Sequence, residues 1–254
     1  MKPDWSAGWQ ALWEYRRYSV RSALCLTALG ALLSVAACGA PEASQPSWRA
    51  VLDDAAIADP AQSLPALTPI AGPRAALVSW KRADSVTGVG ATTFARPTWA
   101  TVAGELKDFC RRYVAENHPD SATLRRRIER LLGLREGDGN GRVVVEFTVE
   151  TSNVLRPCPD PAVDTTSCPV TYDAGSLNSL LDRDPTAARL LLQQMLTSYV
   201  AEGGYPFTRR GYTYDWDPAA SGVRHVGLSE YVTRPSSPVE IVSITPIEDY
   251  CAVQ

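Results

Sequence analysis

The most regular local pattern in the chain covers residues 142–150. Val143, Val145, Phe147 and Val149 fall on one side of an extended backbone, and Val144, Glu146, Thr148 and Glu150 on the other. This period of two predicts a half-buried β-strand. Residues 75–80, 212–216, 226–233 and 239–245 read as further strands, the last two separated by a turn holding Pro235 and Pro238. Elsewhere the spacing is helical. Residues 99–114 place Val102, Leu106, Phe109, Cys110, Tyr113 and Val114 on one helical face. Asp120 or Ser121 can cap a second helix that turns Leu124, Ile128, Leu131 and Leu132 inward and stops at Gly133. Pro185 suits the first turn of a third helix, running to about residue 200 with Leu190, Leu191, Met195, Leu196 and Tyr199 available to a core. Strands and about three helices mix without regular βαβ alternation. The expected fold is therefore α+β, a mostly antiparallel sheet packed with helices.

Two stretches lack such periodicity. Residues 156–172 form a proline-punctuated loop. Residues 39–73 are rich in Ala, Pro and Ser, and six prolines from Pro41 to Pro73 interrupt regular structure. The second stretch reads as a tether, with a short helix possible around residues 48–57, where Val51 and Ala55 could share a face. Residues 74–254 then make a single domain of ordinary size.

Toward the N-terminus, Arg16, Arg17 and Arg21 precede a 15-residue apolar run over residues 23–37 that ends at Cys38. A basic patch, a short apolar segment and small residues are the layout of a secretory signal peptide. A spanning helix needs about 20 apolar residues, and here Gly39 and Pro41 follow at once. Val35-Ala36-Ala37-Cys38 resembles the lipobox of bacterial lipoproteins. That resemblance implies cleavage after residue 37 and acylation of Cys38 as the first mature residue. It places the chain in a bacterial cell envelope, outside the cytoplasm and bound to the membrane through its lipid. Residues 1–19 hold Trp5, Trp9 and Trp13 and fit a signal peptide poorly, so a start at Val20 would leave a more compact signal.

Six cysteines become four once Cys25 leaves with the signal and Cys38 is modified. An even number in an exported chain reads as disulfides. Of three possible connectivities, Cys158–Cys168 would close the proline-rich loop and Cys110–Cys251 would pin the C-terminus to a helix. No C-x-x-C pair occurs among the four, so no metal site and no cofactor is expected.

The charge balance, 25 basic against 28 acidic residues for a net of −3, argues against a nucleic-acid binder driven by phosphate neutralisation. Without residues 1–37, which carry four basic and two acidic groups, the balance becomes 21 against 26, net −5. Such a chain gains nothing electrostatically from an anionic bilayer, and attachment falls to acyl chains.

Candidate chemistry is sparse. Glu136, Asp138 and Asn140 alternate with glycines like the start of a calcium loop, but the twelfth position is Phe147 instead of glutamate, so a glycine-rich turn explains the segment. Gly227-Leu228-Ser229 is half of a nucleophile elbow without its second glycine. Residues 199–216 hold six aromatics, and Tyr212, Tyr214 and Trp216 are spaced to share a strand face. Flanked by Arg209 and Arg210, that row is the candidate binding surface, able to stack on sugar rings or grip a protein; burial in the core is the alternative. Asp215, Glu230 and His225 are the groups a hydrolase would use.

The body also resembles an uncharacterised family of predicted bacterial lipoproteins. The matching residues are Arg-Pro-Cys around Cys158, Gly204-Tyr205-Pro206-Phe207, residues 211–216, residues 227–230 and Glu248-Asp249-Tyr250-Cys251. That resemblance implies no activity. The expected function is a non-catalytic envelope module binding a protein or glycan; the alternatives are an envelope hydrolase and a purely structural lipoprotein.

Overall fold

A computed structural model describes residues 45–57, 59, 62–169, 174–200, 202–220 and 225–253. The signal segment, the lipobox and Cys38 lie outside the described residues. The fold is α+β: an eight-stranded antiparallel sheet with six helices among the described residues. No helix there is long and apolar enough to cross a membrane.

The sheet runs β2 (Gly90–Phe94), β8 (Ser237–Thr245), β4 (Arg142–Glu150), β1 (Arg74–Arg82), β3 (Trp99–Val102), β7 (Val226–Thr233) and β5 (Val154–Leu155), and β6 (Tyr212–Tyr214) pairs with β7. β4 occupies the span its alternation predicts, and β7 the strand expected over residues 226–233. Nine register pairs tie β1 to β4, from Arg74 opposite Glu150 to Arg82 opposite Arg142. β1 meets β3 through two pairs, Leu77 opposite Val102 and Val78 opposite Thr101, and beyond them the strands part. There Ser79 Oγ donates to the Trp99 carbonyl at 2.7 Å, a side chain standing in for the ladder.

Where one helix is expected over residues 99–114, the chain forms β3 and then α2 (Ala103–Asn117). Thr101 and Val102 are β-branched and pair across the sheet before helical spacing begins. α2 ends on His118 in the left-handed region at φ 46°. α3 (Ser121–Leu131) starts as expected, with Asp120 accepting from the Thr123 amide at 2.7 Å. α4 (Ala174–Arg183) precedes α5 (Pro185–Thr197), whose N-cap is Asp184.

Two cysteine pairs stand at disulfide distance. Cys110 of α2 joins Cys251, just after α6 (Ile247–Tyr250), with Cα atoms 5.2 Å apart. Cys158 joins Cys168 across the proline-rich loop, with Cα atoms 6.4 Å apart. This is the pairing expected, and it is compatible with a protein outside the cytoplasm.

One face of the sheet, with Leu77, Phe147, Val149, Tyr231 and Ile241, carries the main core. The other receives α2, α3 and α6 over Val78, Trp80 and Val144, and α4 and α5 over Leu155 and Val232.

The described part of the tether is docked onto the domain. α1 (Trp48–Ala55) buries Val51, Leu52 and Ala55. Farther on, Leu67 and Ile70 are buried, and their amides donate to the Thr166 and Val163 carbonyls, both at 2.8 Å. The prolines do exclude regular structure, but partners far along the chain satisfy this irregular strap. Tyr231 donates its hydroxyl to the Thr68 carbonyl, and Ser229 Oγ accepts from the Thr68 amide at 2.9 Å.

Candidate functional site

The aromatic row is where strap and α1 sit. Tyr212, Tyr214 and Trp216 are each 4% exposed, and Val51 and Ala55 pack on the latter two. Tyr212 donates to the Pro65 carbonyl, Tyr214 to the Asp54 carboxylate and Trp216 to the Leu134 carbonyl. Arg209 donates to the Ala56 carbonyl, and Arg210 to Gln62 Oε1 at 2.9 Å. These five residues, expected to offer a surface to a ligand, instead hold the chain's own N-terminal segment. The physical reason is area: rings of this size gain most by burial, and α1 supplies the cover.

Of the three groups proposed for hydrolysis, Asp215 and His225 are neighbours, with His225 Nδ1 2.9 Å from the Asp215 carbonyl oxygen, and Glu230 stands apart in another cavity. Asp215 is buried in a two-pronged ion pair with Arg127, at 3.1 and 2.7 Å. His225 lies against Tyr214, ring centroids 4.9 Å apart, with Nε2 3.6 Å from Asp54, in a small cavity of about 250 Å³. Ser229 is buried, donating its hydroxyl to Glu105 at 2.8 Å. The glycine-rich turn is likewise internal: the buried Glu129 carboxylate accepts from the Gly137 and Gly139 amides at 3.0 and 2.7 Å. A Cβ on Gly139 would come within 2.3 Å of the Trp80 ring, so the turn must carry glycine there. Among the described residues no cluster of three metal-ligating side chains occurs.

Glu230 stands elsewhere, in a cleft of about 680 Å³ where β1 and β3 part. Clefts of roughly 300–1,000 Å³ are the usual size for small-molecule sites. Alternation sets the floor: Val78 and Trp80 of β1, Trp99 and Thr101 of β3 and Glu230 of β7 line it from one sheet face, with Glu230 directly opposite Thr101. The end of α5 supplies Gln194 and Thr197, and the following loop supplies Tyr205 and Phe207. Phe207 is buried edge-on against Trp99 at 6.0 Å, whereas Tyr205 stays 37% exposed.

Burial on this floor pushes the Glu230 carboxyl well above the usual carboxylate range. No cation lies within ion-pair distance of it among the described residues. The cations nearer the mouth are engaged differently. Lys81 Nζ is 3.2 Å from Thr98 Oγ1 and 4.1 Å above the Phe94 ring, and burial lowers its pKa. Arg142 donates to the Trp80 carbonyl at 2.7 Å and the Asp138 carbonyl at 2.6 Å.

Of the expected site residues, Glu230 alone belongs to this cleft; Trp80, Trp99, Lys81, Arg96 and Arg142 were missed. One signal was present in the sequence. In residues 226–233, Val226, Leu228, Glu230 and Val232 form one alternating set, and the glutamate interrupts it. The cations carried no comparable mark. Comparison of the chain with protein families, curated proteins and solved structures finds no match.

Proposed function

We propose that the chain is an exported, lipid-anchored binding module of a bacterial envelope, without catalytic activity, and that the cleft between β1 and β3 takes a glycan. The observation that carries this reading is the makeup of the cleft. Trp99 and Tyr205 offer ring surface, Gln194 offers an amide, and Glu230 is a carboxyl whose neutral, donating form burial favours. Sugar rings present apolar faces and hydroxyl edges, which such a lining matches. A glycosidase would need a second carboxyl roughly 5–9.5 Å from the first, and among the described residues lining the cleft there is one, Glu230. The two disulfides and the lipobox-like residues 35–38 support export and anchoring.

Titration of the purified chain with oligosaccharides, followed by tryptophan fluorescence, tests the ligand. Binding should weaken about five-fold in Tyr205→Ala, the loss of one stacking contact, with no hydrolysis product. Binding indifferent to Tyr205→Ala, or sugar release, would overturn the reading. Cys38→Ala should leave an unprocessed precursor or free the protein from membrane fractions; normal processing and retention would end the lipoprotein claim.

A further inference from the structure

The charge around the cleft runs opposite to that of the molecule. The chain carries net −3, yet the described residues lining the cleft include Lys81, Arg82, Arg96 and Arg142 against the single carboxyl of Glu230. Arg82 pairs weakly with the exposed Asp84 at 3.4 Å. Arg142 is held by backbone carbonyls, which fix its position without neutralising it, while the Lys81 ammonium lies over the Phe94 ring. Arg96 is exposed on the segment leading into β3. Trp80 Nε1 is buried without a hydrogen-bond partner in the same wall. A concave site lined by one sign of charge focuses its field and concentrates ligands of the other sign. We infer that the cleft is selective for an acidic saccharide, whose anionic group is met at the mouth by Arg96, Arg142 and Arg82 while its hydroxyl edges lie over Trp99 and Glu230. This inference deepens the glycan reading and rests on it. Arginine favours such a role because its planar fork binds carboxylate or phosphate through two bonds, a geometry lysine lacks.

The experiment compares digalacturonate, maltose and citrate as probes of the full chain in detergent micelles, by calorimetry at low and high salt. Digalacturonate should bind about ten-fold more tightly than maltose, an advantage shrinking between about 50 and 500 mM NaCl as screening sets in. Arg96→Glu should remove that advantage; because Arg96 is exposed, the variant will fold. Equal affinity for digalacturonate and maltose, or indifference to Arg96→Glu, overturns the acidic selectivity and leaves the glycan reading standing. Citrate bound as tightly as digalacturonate, with maltose unbound, overturns the glycan reading. Binding of none of the three overturns both.

Discussion

Glu230→Gln should stabilise the protein, by an amount that grows with pH. Glu230 lies on the cleft floor opposite Thr101 with no cation at ion-pair distance among the described residues, and burial raises its pKa well above 4.5. Below the unfolded value of about 4.3 the carboxyl is protonated in both states, and glutamate and glutamine behave alike. As pH rises past that point, the unfolded chain releases its proton while the folded chain keeps it. The folded state then binds more protons, so stability falls with pH, by up to about 1.4 kcal/mol per unit, until the folded pKa is passed. Glutamine keeps the shape and a donor but cannot ionise, so its own contribution is flat. Urea unfolding of both chains between pH 4 and 8 measures the difference directly, and other titrating groups cancel. The stability gap should be near zero at pH 4 and widen in favour of glutamine as pH rises, until the folded carboxyl itself ionises. A constant gap across that range, or a glutamine variant less stable at pH 7, would refute the reasoning.

Three further outcomes are expected. Converting Cys110 and Cys251 together to alanine should cost about 5 kcal/mol, and converting Cys158 and Cys168 about 3 kcal/mol, because the first closes 141 residues and the second 10; denaturant midpoints of the two variants check the order. Arg127→Met should cost about 3–5 kcal/mol by stranding the buried Asp215, and Arg127→Met with Asp215→Leu should cost much less than the sum, as a double-mutant cycle would show. Arg156, fully buried, donates to the carbonyls of Ala162, Val163 and Thr165 and to the Tyr231 hydroxyl; Arg156→Met should lose at least about 3 kcal/mol and open residues 62–73 to protease before the rest of the domain unfolds.

Elements with a strong local period were legible. β4 alternates over its whole length and stands where that alternation puts it, β7 fills the strand expected over residues 226–233, and α3 is framed by Asp120 and Gly133. The junction of β3 with α2 was not legible, because four residues of strand carry too few positions to break a helical reading. β2, with the sequence GATTF, is short and half polar, and pairing with β8 makes it a strand. The strap defeated local reading for another reason. Prolines correctly signal irregular backbone, but its docking depends on Tyr212, Ser229, Tyr231 and Arg210, some 147 to 163 residues away in sequence. The aromatic row is the same fact from the other side: its burial is one of the two readings its spacing allows, but the segment that covers it reads locally as a free tether.

Glu230 shows how a local inconsistency can point to a site. A glutamate between Leu228 and Val232 contradicts the pattern of its own strand, and its desolvation opposes folding at neutral pH. Had stability alone decided that position, glutamine or an apolar residue would serve the floor better. The same place is where β1 and β3 part after two pairs, giving up ladder hydrogen bonds, and where Trp80 leaves its indole N–H unbonded. Three departures from local economy converge on one cavity, and proteins concentrate such departures where a ligand makes use of them. A bound saccharide that accepts from the Glu230 carboxyl would satisfy the first of these departures.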